Sequence, residues 1–425
     1  MGNGLRLMGA ATPIRRNKPA SAKPRVAIVS PFLDKSHGTE RIVIEWLSPL
    51  ASSFEFHIYG QRVEDFDPST FTYHHIAELP GPHLLNYLWW FAANSVRRAW
   101  DEHFRGLKYD LVFSPGINCF DADVISVHIV FAEFVRQAGR ELKFSSNPLR
   151  RWPRLLHRKL YYSLIMWLER IVYPRRKTQL VLYAKKTASD LERFYPRGET
   201  YPVLYLGLDH ARFNPARCAG LRDAARKSLG LAGADFVLLL VGNDLLKKGI
   251  VALFEAMSRL RDLPVKLLIV SRESGSGYQS LLNEKELNDR VRFLPPRKDV
   301  EFYFAAADLY AGPSLEDTFA LPPEEAMACG LPVIASVPNG VSEIIVHGEN
   351  GLVLDDPRDV ETLATMIRRV CEDESLRATL GRNAAKSVEQ FTWERNAHDL
   401  QAIFNEILSH KSSSPLAGKA LEPDR

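Results

Sequence analysis

The residue types best suited to chemistry are concentrated between Gly312 and Ser336. Two carboxylate pairs there have seven residues between their members: Glu316 with Glu324, and Asp317 with Glu325. Pro322 and Pro323 suit the first turn of a helix, where a missing N–H costs nothing. Backbone N–H groups from about Phe319 through Ala320 to Leu321 would then lack intrahelical acceptors and attract a phosphate. Carboxylates on either side would accept hydrogen bonds from sugar and ribose hydroxyls. A plain helix start, with acidic residues favoured by its dipole, is the competing reading.

Three further positions carry chemical potential. Lys248 stands next to last in the run Leu239 to Gly249, an apolar strand followed by a polar turn, and either neutralises an anion or belongs to a solvated Lys-Lys pair. His128 follows the strand-like run Val124–Val127, as a ligand-facing imidazole or a satisfied structural one. Gly38, in His37-Gly-Thr-Glu-Arg41, either admits a ligand close to the backbone or shapes a loop. Asp121-Ala-Asp123 has the form of a metal-diphosphate site, but no second acidic cluster lies near it, and strand capping accounts for it better.

These positions need elements to hold them. Arg25–Ser30, Phe54–Tyr59, Asp110–Phe113, Val124–Val127 and Leu180–Tyr183 read as buried parallel strands. Helical spacing lies between them at Glu40–Leu50, His83–Arg98, Phe131–Leu142 and Leu155–Val172. A second series of strands runs through Val203–Tyr205, Phe236–Val241, Val265–Val270, Val291–Leu294, Leu309–Ala311, Val333–Ala335 and Gly351–Leu354. Helices at Gly249–Leu260, Tyr278–Leu287, Asp299–Ala306 and Glu324–Ala328 alternate with them. Such alternation predicts two α/β, Rossmann-like, doubly wound domains facing a cleft, with ligands at the carboxyl ends of the strands.

On these strings the chain resembles the retaining glycosyltransferase family 4, of GT-B architecture. The family shows Pro-Ser, two acidic residues separated by seven, then Ala-Met-Ala-x-Gly-x-Pro-Val. Asp317 and Glu325 keep the flanking residues in register, whereas Glu316 and Glu324 shift them by one. The resemblance implies that Asp317 contacts donor-sugar hydroxyls, Glu325 the ribose and Lys248 the leaving diphosphate, and that His128 hydrogen-bonds the sugar or lends its backbone carbonyl to the developing oxocarbenium charge. It completes the donor-binding set with Gly38, Asn243, Glu316, Thr318, Phe319, Ala320, Leu321 and Arg272. Three positions depart from the pattern: Asn243 stands where the family has Arg, His37 where it has Gly, and Asp317 where it usually has Glu. An amide cannot make the charged, bidentate phosphate contact of a guanidinium.

The resemblance runs over about residues 25–408, and it divides the chain into a disordered basic arm (1–24), an acceptor-side domain (25–202), a nucleotide-sugar domain (203–390), a helix crossing back to the first domain (391–410) and a disordered tail (411–425). It implies a retaining, metal-independent hexosyl transfer from a nucleotide-sugar co-substrate to a glycan or lipid-linked acceptor, as in polysaccharide biosynthesis, with no cofactor. A sugar-nucleotide epimerase and a non-catalytic nucleotide-sugar binder are the alternatives. A dinucleotide dehydrogenase is disfavoured, because no G-x-G-x-x-G follows the first strand.

Bulk composition fits a globular two- or three-domain chain of 425 residues, 46% apolar and 25% charged. Four scattered cysteines, with no C-x-x-C, argue against a zinc site or a disulfide framework and for a reducing, cytoplasmic setting. The N-terminal stretch lacks the long apolar core of a secretory signal. Net charge is +4, but residues 1–200 hold 29 Lys/Arg against 19 Asp/Glu, and residues 136–177 hold 12 against 2. A patch of that kind calls for an anionic partner. Arg150–Lys177, which also carries Trp152, Tyr161, Tyr162 and Trp167, is the candidate for peripheral contact with an anionic membrane. A core helix with a solvated basic face is the other reading, and nucleic acid fits poorly without a recognised module.

Overall fold

The computed structural model describes residues 23–34, 38–64, 68–138 and 148–413. The basic arm up to residue 22, His37 and the tail after residue 413 lie outside the described residues.

The first half forms a six-stranded parallel sheet. Its strands are β1 (Arg25–Val29), β3 (Glu55–Gly60), β5 (Phe71–His75), β6 (Leu111–Pro115), β7 (Val124–Val127) and β8 (Gln179–Leu182), in the spatial order β5-β3-β1-β6-β7-β8. Two short strands, β2 (Phe32–Leu33) and β4 (Arg62–Val63), pair beside it. The helices are α1 (Gly38–Leu50), α2 (His83–Arg105), α3 (Phe131–Ala138), α4 (Pro148–Val172) and α5 (Lys185–Phe194). β5 has no counterpart among the sequence expectations, because Phe-Thr-Tyr-His-His at the sheet edge has only His74 buried and shows no apolar run.

After α6 (Pro215–Ser228) the second half repeats the plan. β9 (Phe236–Val241), β10 (Val265–Val270), β11 (Val291–Leu294), β12 (Leu309–Gly312), β13 (Val333–Ser336) and β14 (Leu352–Leu354) stand in the order β11-β10-β9-β12-β13-β14, again all parallel. Its helices are α7 (Ile250–Ser258), α8 (Gln279–Glu284), α9 (Glu301–Ala306), α10 (Leu321–Ala328), α11 (Val360–Glu372) and α12 (Glu374–Val388). The doubly wound α/β expectation holds for both halves. Val203–Tyr205 is not a strand of the second sheet: Val203 makes a single bridge to Leu182 of the first.

Strands β9 and β10, Phe-Val-Leu-Leu-Leu-Val and Val-Lys-Leu-Leu-Ile-Val, are buried on both faces, as central parallel strands must be. One buried apolar cluster runs from α1 and β1 through Leu204, Leu206 and Leu208 to Val237 and Leu239, so the two halves share a core. The last helix, α13 (Trp393–Ser413), lies on α1: Trp46 donates its indole N–H to Asn396 at 2.5 Å, and Phe404 meets Phe54 with ring centroids 5.6 Å apart. The opposite face of the first sheet has its own core, under α2 and α4, around Trp90, Ile165, Leu168 and Val172.

Candidate active site

In an open parallel sheet, ligands sit outside the carboxyl ends of strands where the winding reverses. In the second half that point lies between β9 and β12, which pair side by side although 67 residues of chain lie between them. The loops after them, 242–249 and 313–320, are bound to each other: Leu315 N–H donates to the Lys247 carbonyl at 2.8 Å. Gly249 allows the approach, since its φ is +80° and a Cβ there would fall 2.0 Å from the Pro313 carbonyl oxygen. Across this junction Lys248 Nζ pairs directly with Asp317 Oδ2, and Lys247 Nζ lies 3.2 Å from Glu316 Oε2. The 313–320 loop is braced from behind by Asn339, whose side chain accepts from Ala320 N–H at 3.3 Å and Val341 N–H at 3.2 Å. Gly340 can have no side chain, because a Cβ would meet the Thr318 carbonyl oxygen at 1.8 Å.

The first half closes over the same loop. Lys186 of α5 reaches Glu316 Oε1 at 3.2 Å, so this carboxylate is shared between a lysine from each half. Arg41 of α1 donates to Glu325 Oε1 at 2.9 Å. The Thr318 hydroxyl donates to the His128 carbonyl. Glu343 caps the start of α5, accepting from Lys185 N–H at 2.8 Å, Lys186 N–H at 2.7 Å and the Tyr205 hydroxyl at 3.0 Å.

The electrostatics follow from this geometry. Burial opposes ionisation of Asp317, but Lys248, Lys247 and Lys186 outweigh it and hold the carboxyl below the usual range. Burial would discharge Lys247 and Lys186, yet Asp317 with Glu316, and Glu316 with Asp190, keep both ammonium groups raised. His128 is desolvated and pushed down to about 3, so its ring is neutral at physiological pH; Nε2 lies 2.9 Å from Ser126 Oγ. Glu324 is fully buried with no hydrogen-bond partner for either carboxyl oxygen among the described residues, and burial drives its pKa well above the carboxylate range. It is therefore an un-ionised acid beside Glu325.

The structure brings Lys248, Glu316, Asp317, Thr318, Glu325 and the His128 carbonyl to one crevice. Of the two carboxylate pairs, Asp317 and Glu325 are ion-paired members of the site, whereas Glu324 has no cation in contact. Phe319 packs against Tyr205 at 5.9 Å, and Leu321 opens α10 with Pro322 and Pro323 in its first turn. The expectation of three free amides needs correction at Ala320, whose N–H is already given to Asn339. Asn243 is exposed, and its side-chain oxygen accepts from Arg272 N–H at 3.1 Å, tying the ends of β9 and β10 together. Gly38 is the first residue of α1, with nothing within 4 Å of a notional Cβ, so contacts within the chain do not force a glycine there. Asp121 chelates Arg98 at 2.5 and 2.8 Å, while Asp123 accepts from Val112 N–H at 2.8 Å, so both carboxylates serve the first sheet.

Sequence reasoning assigned no role to Arg41, Lys186, Lys247 or Glu343. Lys186 had one local signal, its place just after the carboxyl end of β8.

The model of the family described as glycosyl transferases group 1 matches residues 222–387. A D-inositol 3-phosphate glycosyltransferase of Jonesia denitrificans is 32% identical over 239 residues, covering 53% of this chain and 56% of that protein. The chain spans about half the length of the curated relatives it matches. Among solved structures, WaaG, a glycosyltransferase involved in lipopolysaccharide biosynthesis, superposes with a TM-score of 0.71 at 21% identity over 89% of this chain and 99% of that one. Anabaena Alr3699/HepE in complex with UDP and glucose gives 0.66 at 19% identity over 90% and 100%. At such identities the likeness is one of fold, two six-stranded parallel sheets as in the GT-B glycosyltransferases. Residues 222–387, the greater part of the second half, are thus similar to the glycosyl transferases group 1 family.

Proposed function

We propose that the protein is a retaining glycosyltransferase that moves a sugar from a nucleotide-sugar donor to a glycan or lipid-linked acceptor. The observation that carries this reading is the pairing of Lys248 with Asp317 across the β9/β12 crevice, with Glu325 on the helix that follows Asp317. When the bond from the anomeric carbon to the phosphate oxygen breaks, negative charge grows on the leaving diphosphate. Lys248 meets that charge, with Lys247 and Lys186 behind it. The acceptor oxygen bonds to the anomeric carbon on the same face, and its proton passes to the leaving phosphate oxygen, so no side-chain base is needed. Asp317 accepts from donor-sugar hydroxyls and Glu325 from the ribose, each sharing its carboxylate with the cation it already holds.

UDP-sugars are the first donors to try, since the HepE structure holds UDP and glucose. The membrane-facing part of this reading puts the basic segment Arg150–Lys177 against anionic lipid at the cytoplasmic face, where a lipid-linked acceptor would be met.

Thermal unfolding with UDP-, GDP- and ADP-sugars, with and without EDTA, tests the donor site. A ligand that binds only the native state raises its stability by about 2.7 kcal/mol at a hundredfold excess over Kd. Stabilisation by one nucleotide class, insensitive to EDTA and lost in Glu325→Ala, is the expected result. Absence of any shift at millimolar concentration refutes the site. Product formation that depends on added acceptor then separates transfer from epimerisation and from binding alone.

A further inference from the structure

Helix α2 has an unusual distribution of polarity. Its core-facing side is aromatic near its start, at Trp90, and polar beyond, where Asn94, Arg98 and Asp101 are buried. Asp101 accepts from the Tyr59 hydroxyl at 2.8 Å and lies 3.1 Å from His74 Nδ1, and Asn94 donates to the Asn118 carbonyl at 3.1 Å. The side turned to solvent is apolar. Leu85, Leu88, Trp89, Val96, Trp100 and Phe104 are all exposed, Val96 and Phe104 to 69%. At 3.6 residues per turn they fall within an arc of about 160° that contains no Lys, Arg, Asp or Glu. A surface helix of a water-exposed domain has the reverse pattern.

Beside it, α4 shows a second outward stripe: Leu156, Leu160 and Trp167 are exposed, with Lys159 and Arg170 among them. The two helices touch through Tyr161, whose ring lies 5.1 Å from His83 and 5.9 Å from Tyr87, and both cover the same face of the first sheet. The rim is cationic. Arg97 and Arg105 sit over the Trp100 ring at 5.4 and 4.9 Å, and Arg175 over the exposed Phe120 at 5.4 Å. No helix among the described residues is long and apolar enough to cross a membrane.

We infer that the outer face of α2, continued by α4, docks in the interfacial layer of an anionic bilayer. Aromatic and aliphatic side chains enter the acyl boundary, and the arginine rim meets phosphate headgroups. The charge of the rim selects this occupant: Arg97, Arg105 and Arg175, with the exposed Lys159 and Arg170, border the apolar stripes, and the stripe of α2 itself carries no Lys, Arg, Asp or Glu. This deepens the membrane contact proposed above, and rests on it, by assigning the penetrating element to α2 instead of the basic segment.

The test is flotation of the full chain with phosphatidylcholine vesicles, with and without about one quarter phosphatidylglycerol. Trp100→Glu/Phe104→Glu is compared with Arg158→Glu/Lys159→Glu, and donor turnover and thermal unfolding verify that each variant is folded. Wild type is expected to float with the anionic vesicles, and Trp100→Glu/Phe104→Glu to lower that binding about tenfold with donor turnover unchanged. The milder Trp100→Ala/Phe104→Ala should show the same direction. Binding lost only in Arg158→Glu/Lys159→Glu overturns the assignment to α2 while the basic-segment contact survives. No binding by wild type overturns both. A dimer in sedimentation velocity that Trp100→Glu/Phe104→Glu dissolves would make the face an interface between two copies and overturn the lipid assignment.

Discussion

Arg41 and Glu325 are 284 residues apart in the chain and 2.9 Å apart in the fold, one on the first helix of the first half, the other on the helix that follows the 313–320 loop. Glu325 is 3% exposed and pairs with this guanidinium, which Glu45 also steadies at 3.7 Å. Burial alone would lower the pKa of Arg41, but Glu325 and Glu45 reverse the effect and raise it. Arg41→Met leaves Glu325 buried without its cation, and breaking a pair of this kind costs on the order of 2–4 kcal/mol. Denaturant unfolding should show that loss, and Arg41→Met/Glu325→Gln should recover part of it. If the single variant is as stable as wild type, the ion pair does not join the halves.

Lys248 is the group expected to stabilise the leaving diphosphate. Lys248→Ala should lower donor turnover by about 10²–10³, the effect of losing one preorganised charge partner. Gly242→Ala should lower it too, because a Cβ there would fall 3.0 Å from Lys248 Cε and displace the ammonium. Steady-state turnover checks both, and the result that fails the reading is a Lys248→Ala enzyme within threefold of wild type.

Glu324 predicts an unusual response to pH. In the unfolded chain it ionises near pH 4.3, while in the fold burial keeps it protonated far above that. The native state then holds more protons than the unfolded state, and stability falls as pH rises past 4.3. Glu324→Gln should be more stable than wild type at pH 8, by about 1–3 kcal/mol, with the advantage gone at pH 4. Urea midpoints at the two values decide it.

His128 works in the opposite sense. Its pKa falls from 6.5 to about 3 on folding, so between those values the unfolded state binds the extra proton and stability drops as pH falls. His128→Asn should flatten the stability profile from pH 6.5 downward. Its backbone carbonyl still receives the Thr318 hydroxyl, so donor-induced stabilisation at pH 7.5 should survive the substitution.

What could be read in the sequence was local. The strings around Lys248 and from Gly312 to Pro332 each form one strand, one loop and one helix, so spacing marked Lys248 and two carboxylate pairs, and the family resemblance chose Asp317 with Glu325 between them. Arg41, Lys186 and Glu343 come together only when two sheets meet, and no spacing along the chain encodes that. Helix α2 continues to Arg105, seven residues beyond the apolar spacing that suggested it, because its inward positions at 98 and 101 are charged and hide the period. Helix α6 went unseen for a related cause: it is mostly polar, and its start is marked only by Asn214, which caps Arg217 N–H at 2.9 Å. Helix α11, in contrast, shows regular spacing in Leu363, Ile367 and Val370, a signal that was present and unassigned.

The packing of α13 on α1 sets an order of events during synthesis. Trp46, Phe54 and Phe113 belong to the first half, yet Asn396 and Phe404, from the final helix, complete their surroundings. A ribosome finishes β1 to β8 long before it releases those residues, so the nascent first half waits with an aromatic seam open until the last helix emerges. A chain halted before Trp393 would keep that seam uncovered, and would become a client for chaperones instead of a closed first half.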